Sequence, residues 1–347
     1  MSACPYCQES LPESAKPAKS PKLYACQKCW NPYYVEWEGP TLKCSALLHA
    51  TDIRHVAPPG SIGGAILEAM PQAIERLPVL PDISQRIMAL LRDPDASMKD
   101  VANIVRQDQV IALSLMKMAN SAMYGGLTEI KDLNSACARL GMKTIANVVQ
   151  AVTSNNLFVT GDKRLKGFMQ RIWRHSIATA HCANAIAVLT SEPRSETLFL
   201  AGLVHDIGKV LLLDIITGQY SGAVSQLRVT PELFREVIDS FHPLLGLHVA
   251  QQWNLPPEFG AILYYHHTPS ASPHEEWTPM CHTVALANLI AKVEGFGLYE
   301  VKDIFLTSDE SARFLNLNDI KLAGLRVDLA DLLEPLFEVA GANAAEA

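Results

Sequence analysis

Four cysteines crowd into the first 29 residues as two pairs, Cys4-Pro-Tyr-Cys7 and Cys26-Gln-Lys-Cys29, with eighteen residues between them. A C-x2-C turn aims both thiolates at one ion, and two such turns complete the tetrahedral sulfur set that Zn2+ prefers. With four protein ligands no position is open to water, so the expected role is structural. The polar stretch from Pro12 to Pro21 has too few apolar residues to form a core of its own, which leaves the metal to hold the segment together. Two redox-active pairs are the alternative, disfavoured because no βαβ pattern surrounds them. Cys44 is a spare candidate ligand.

Histidine is distributed in the opposite sense: His49 and His55 stand early, and the other nine fall between His175 and His282. His205 lies beside Asp206 within an apolar run (Phe199, Leu200, Leu203, Val204, Ile207, then Val210 to Leu213). A carboxylate buried there needs a partner. A metal would satisfy both residues; alternatively Asp206 pairs with Lys209 while His205 donates to a backbone carbonyl. His181 and His248 each follow another histidine, His175 and His242, by six residues, about 120° around a helix, so they face elsewhere. His274 and His282 read as surface or core residues. Cys137, Cys182 and Cys281 read as small core side chains, and Met116, Met118 and Met123 as core.

The elements that must position these groups follow from the pattern around them. A chain of 347 residues suggests about two domains, and 49% hydrophobic residues exclude wholesale disorder. The longest uncharged run, Thr144 to Gly161, is interrupted by Asn147, Gln150, Ser154, Asn155 and Asn156, so no membrane span is expected. Pro5, Pro12, Pro17 and Pro21 break the first 25 residues, which therefore lack the apolar stretch of a secretory leader; a cytoplasmic protein is expected. Net charge is −7 without a long basic run, and nucleic-acid binding is disfavoured. Trp30 to Trp37, punctuated by Gly39-Pro40, suggests a β-hairpin. From Glu68 to Val339 apolar residues recur at three- and four-residue spacing, as in Ile83, Ile87, Leu90 and Leu91, or Val101, Ile104 and Val105. Ser97 and Asp108 supply helix caps. The expected architecture is mainly α-helical: a small β module over 1–48, a linker over 49–69 marked by Pro58-Pro59-Gly60, a multi-helical domain over 70–295, and a helical extension over 296–347. The first 60 residues are expected to be separable from the helical body.

The cysteine module resembles a zinc ribbon, with Gln8 and Trp30 standing where ribbon knuckles often carry Gly. Within the helical body, Leu77-Pro78-Val79-Leu80-Pro81, Val105-Arg106-Gln107-Asp108, Asn120-Ser121-Ala122-Met123-Tyr124-Gly125 and Ala138-Arg139-Leu140-Gly141 resemble the HDOD family, HD-related output domains of bacterial signalling proteins. Leu203-Val204-His205-Asp206-Ile207-Gly208-Lys209 is similar to the signature of the HD superfamily of metal-dependent phosphohydrolases. The resemblance implies a helical fold and a regulatory role. It also implies a metal site in which His175 precedes the His205-Asp206 pair, His242 and the adjacent His266 and His267 follow, and Asn288 stands where the closing Asp is usual. Iron, manganese, zinc or nickel suits such a mixed set. The chain departs from the HD-GYP branch: Thr268-Pro269-Ser270-Ala271-Ser272-Pro273 replaces the Gly-Tyr-Pro loop, and Arg171 stands where some members place a further acidic ligand. The implied function is a regulatory module that binds a signalling partner or a small phosphorylated ligand. The alternative is a phosphohydrolase or phosphodiesterase in which Asp206 anchors the metal and Lys209 offsets phosphoryl charge.

Overall fold

Each cysteine pair closes on a residue with left-handed backbone, Gln8 at φ 61° and Trp30 at φ 62°. The two turns are built alike. The amide of Gln8 donates to Cys4 O at 2.9 Å and that of Trp30 to Cys26 O at 2.8 Å. Behind them, Cys4 N donates to Glu9 O and Cys26 N to Asn31 O. The second turn leads from β1 (Lys22–Ala25) into β2 (Pro32–Glu38), and Gly39, at φ 62°, turns the chain into β3 (Thr41–Ala46). The three strands form one antiparallel sheet in the order β1-β2-β3, with Tyr24 opposite Tyr33 and Val35 opposite Cys44. The hairpin thus falls where aromatic residues and Gly39-Pro40 predict it.

The structure is a computed structural model. It describes residues 3–17, 21–46, 57, 61–76, 86, 90, 95, 97–121, 124, 130–158, 163, 165–217, 231–272, 274–299, 301 and 304–344. The Leu77-Pro81 motif, His49, His55, Met123 and most of the helix expected around Ile83 and Ile87 lie outside these residues.

After the sheet the fold is helical: α1 (Ile62–Arg76), α2 (Met98–Val105), α3 (Gln109–Ala119), α4 (Leu133–Ser154), α5 (Lys166–Leu189), α6 (Ser195–Val204), α7 (Ile207–Thr217), α8 (Pro231–Gln252), α9 (Pro257–Tyr265), α10 (Thr278–Ala291), α11 (Glu310–Phe314) and α12 (Asp319–Ala344). Local chemistry starts several of them. Ser97 and Asp100 form a reciprocal capping box on α2, and Asp132 accepts from Ser135 N at the start of α4. Helix α1 begins inside the stretch expected to be linker, with Ser61 Oγ accepting from Gly64 N at 3.0 Å.

By their packing the residues fall into two compact units, Met1–Leu77 with Val204–Ala285, and Pro78–Leu203 with Leu286–Ala347. This division differs from the boundaries expected at 48, 69 and 295. In the first unit α8 packs on α7 and α9, α1 covers α7 and α8, and β1 lies on α8 and α9. The ribbon therefore shares a unit with the helices of the His-Asp segment, because its sheet is too small to bury both faces alone. In the second unit α2 and α3 pack on α4, and α12 packs on α3 and α5.

Candidate metal centres

The two knuckles bring Cys4, Cys7, Cys26 and Cys29 together, all four sulfur atoms lying within 4.8 Å of one another. Cys4 Sγ is 3.6 Å from Cys29 Sγ, and Cys7 Sγ is 3.7 Å from Cys26 Sγ. These contacts run between the two turns, not within a C-x2-C pair. Four sulfurs about 2.3 Å from one zinc ion are about 3.8 Å apart along each edge of the tetrahedron, so the set fits that ion. Burial pushes the Cys4 thiol up and raises Cys26 to about 11. Burial also acts on Cys7, but the Glu9 amide and the neighbouring cysteines outweigh it and lower that thiol. Buried thiols that resist ionisation need a cation if all four are to bind as thiolates. Cys44 stands apart on β3, half-buried opposite Val35, and is not in the set.

The second constellation lies in the helices of the same unit. His205 and Asp206 occupy the turn between α6 and α7, Lys209 lies in the first turn of α7, His242 is in α8, and His266 and His267 follow α9. His242 Nε2 is 3.2 Å from His266 Nε2 and 3.0 Å from His267 Nε2. Asp206 Oδ1 faces His242 Nε2 at 3.4 Å and His266 Nε2 at 3.8 Å, while Oδ2 lies 3.4 Å from His205 Nε2. The backbone sets the ring orientation: His242 Nδ1 meets Ile238 O at 2.6 Å, and His266 Nδ1 meets Leu263 O at 2.9 Å. A ring whose Nδ1–H is donated to a carbonyl turns the lone pair of Nε2 inward. Facing lone pairs at this spacing repel unless a cation lies between them, and ligands about 2.1 Å from one metal stand about 3.0–3.4 Å apart. The donor set fits a divalent metal.

The electrostatics favour neutral imidazoles at His242 and His266 beside an anionic Asp206. Burial lowers His242 and His266 well below the usual imidazole value, with Lys209 adding to the effect at His242 and His205 at His266. Burial alone would raise Asp206, yet His205, Lys209 and His242 hold it well below the carboxylate range. Lys209 Nζ donates to Asp206 Oδ2 at 2.6 Å, and both side chains are almost fully buried. The Asp206–Lys209 ion pair, which the sequence offers as the alternative to a metal, is thus formed beside the histidine cluster. His267 is exposed and gives the cluster a solvent-facing side.

In the other unit His175 Nε2 is 3.0 Å from Asn288 Oδ1, both residues being buried. That separation serves either a ring N–H donated to the amide oxygen or two ligand atoms on one cation. His181 packs edge-on against Phe199 and is lowered by burial to about 3, which makes it a core histidine. His282 is fully buried in α10 with Nε2 3.3 Å from Ser270 Oγ. Sequence reasoning missed Gly208. A Cβ there would stand 2.0 Å from His242 O and 2.8 Å from Gly246 N, so glycine is what lets α7 approach α8 and set Asp206 beside His242. A glycine inside an apolar helical run was the available signal.

Comparison with known proteins places the helical part of the chain in a family. Residues 77–269, more than half of the chain, match the HDOD domain. An uncharacterised protein of Treponema pallidum (strain Nichols) is 26% identical over 238 residues, covering 65% of this chain; the match spans 44% of that protein, less than half its length. The crystal structure of an HDOD domain protein of unknown function from Geobacter sulfurreducens is 25% identical, with a TM-score of 0.62, covering 80% of this chain and 97% of that one. A candidate metal-dependent phosphohydrolase from Shewanella amazonensis SB2B shares the fold at 20% identity and a TM-score of 0.55, over 80% of this chain and 99% of that one. Among the described residues no helix is long and apolar enough to cross a membrane.

Proposed function

The chain belongs to the HDOD family, and from that premise we propose that it is a regulatory module of bacterial signal transduction, binding a signalling protein or a small phosphorylated ligand through its helical domain. In this reading zinc at Cys4, Cys7, Cys26 and Cys29 holds the ribbon, and iron, manganese, zinc or nickel occupies the site of His205, Asp206, His242, His266 and His267. The cytoplasm suits a protein whose eight cysteines are all free thiols.

The observation that carries a regulatory over a hydrolytic role is the commitment of Lys209. Its ammonium is buried against Asp206 Oδ2 at 2.6 Å, so the cation that would offset charge at a reacting phosphoryl group is already engaged by a carboxylate. Thr268 to Pro273 also supplies no Gly-Tyr-Pro loop to hold a cyclic dinucleotide.

A phosphodiesterase is the second reading, and the convergence of three imidazole Nε2 atoms beside Asp206 favours it. A divalent metal bound there would supply Lewis-acid charge. Of the chain's own groups, Asp206 would anchor that charge, His242 and His266 would be fixed by their carbonyl partners, and exposed His267 would face the arriving substrate. Metal-reconstituted full-length protein tested on cyclic di-GMP and on an aryl phosphodiester decides between them. Slow or absent turnover is expected. Rapid turnover that disappears in both His205→Ala and Lys209→Ala would overturn the regulatory reading.

A further inference from the structure

The thiolate site and the histidine site sit in one unit, and a ring contact joins the second cysteine turn to the helix that carries His242. Trp30 directly follows Cys29 and is held at φ 62° by the knuckle, its amide donating to Cys26 O at 2.8 Å. Its indole packs edge-on against the His248 imidazole, with ring centroids 5.2 Å apart. His248 lies in α8 less than two turns beyond His242, whose Nε2 is 3.2 Å from that of His266 and 3.0 Å from that of His267.

Two further contacts bind the ribbon to the same region. Tyr34 of β2 stacks on Trp277 at 6.3 Å, and Trp277 immediately precedes α10. Leu23 O of β1 lies 3.8 Å from where a Cβ on Gly260 would stand, in the middle of α9, the helix that ends at His266. The ribbon's own core includes three of its cysteines, Cys4, Cys26 and Cys29, packed with Tyr24, Tyr33 and Val35. Withdrawal of the ion from those thiolates therefore loosens the core that holds Trp30 and β1 in place.

We propose that the ribbon is a control element for the histidine centre: zinc at the four thiolates, acting through Trp30 on His248 and through β1 on α9, holds His242 and His266 in their converging arrangement, and loss of that zinc releases them. Trp30 and His248 are positioning residues and touch no ligand. The inference deepens the metal-centre reading above, and it rests on that reading only for its effect on metal affinity. Linkage makes the coupling reciprocal, so a metal at the histidines also tightens zinc binding at the thiolates.

Two measurements on the full-length chain separate the claims. In the first, zinc-loaded protein is titrated with Mn2+, followed by electron paramagnetic resonance. Trp30→Ala is expected to weaken Mn2+ binding about tenfold, within the range typical of coupled sites, while zinc content stays at one per chain; Trp30→Phe, which keeps an aromatic edge, is expected to restore most of the affinity. Wild-type affinity in zinc-loaded Trp30→Ala would overturn the ring-mediated route.

The second measurement does not need a metal at the histidines. Hydrogen exchange is followed over residues 238–266 in the Asp206→Ala background before and after zinc is removed from the thiolates by a chelator. Exchange there is expected to accelerate about tenfold, the same coupling read without the second metal. Unchanged exchange over 238–266 while residues 21–46 lose protection would overturn the coupling itself. If wild type and Asp206→Ala bind Mn2+ equally, the metal-centre reading fails on its own, and the exchange measurement still decides the coupling.

Discussion

Replacing Asp206 with alanine removes the carboxylate that four neighbouring groups share, His205, Lys209, His242 and His266. Metal content is expected to fall to the thiolate zinc alone, measured by elemental analysis of the purified protein; full retention of a second metal would refute the assignment. His181 gives a prediction in pH. Burial lowers it to about 3 in the folded chain, against about 6.5 when unfolded. Between those values the unfolded chain holds a proton that the folded chain does not, so stability is complete above about 6.5 and falls as the pH drops, by up to about 1.4 kcal/mol per unit. Urea midpoints between pH 7 and 5 should therefore slope less in His181→Leu than in wild type. The cysteine set was legible because C-x2-C acts within one turn, and the Asp206–Lys209 pair because the two are three residues apart. The convergence of His242, His266 and His267 came from a family resemblance. Spacing alone does not say that α8 and the end of α9 meet.

Helix packing explains what the sequence left hidden at the next scale. The surface of Gly208 that α8 covers is defined by residues more than thirty positions later, so a reading of its own segment finds only an apolar helix with a small residue in it. Gly208→Ala would drive a methyl group into the carbonyl of His242. The expected cost is roughly 3 kcal/mol, the upper end for overpacking, seen as a lower thermal midpoint together with reduced metal content at the histidines. Gln8 is the opposite case. Its departure from glycine is visible in the sequence, and the structure keeps the left-handed turn regardless, at φ 61° on an exposed residue. Gln8→Gly removes that strain and should slow zinc release to a competing chelator, consistent with a gain of about 0.5–1 kcal/mol. Wild-type release rates in this variant would show that the knuckle stores no strain there.

For the whole molecule, the helical fold and the small sheet were legible from periodicity and turn residues, whereas the assembly of the units was not. The sequence suggests an N-terminal module that can be cut away. Instead β1, Trp30 and Tyr34 lie against α8, α9 and Trp277, and Trp277 is only 2% exposed. Removing residues 1–60 is therefore expected to lower the thermal midpoint of the remainder and promote its aggregation, in contrast to the intact body that the sequence predicts. A truncated chain with an unchanged midpoint would restore the separable module. The order of segments has a consequence for biosynthesis. The first unit is split by residues 78–203, and its last contributor is Ala285. On a ribosome adding about 5–20 residues per second, Cys29 emerges roughly ten to fifty seconds before the helices that cover its knuckle are complete. During that interval the nascent thiols are open to metal capture or to chaperones, so an ion that the four cysteines take up can reach them before the covering helices exist.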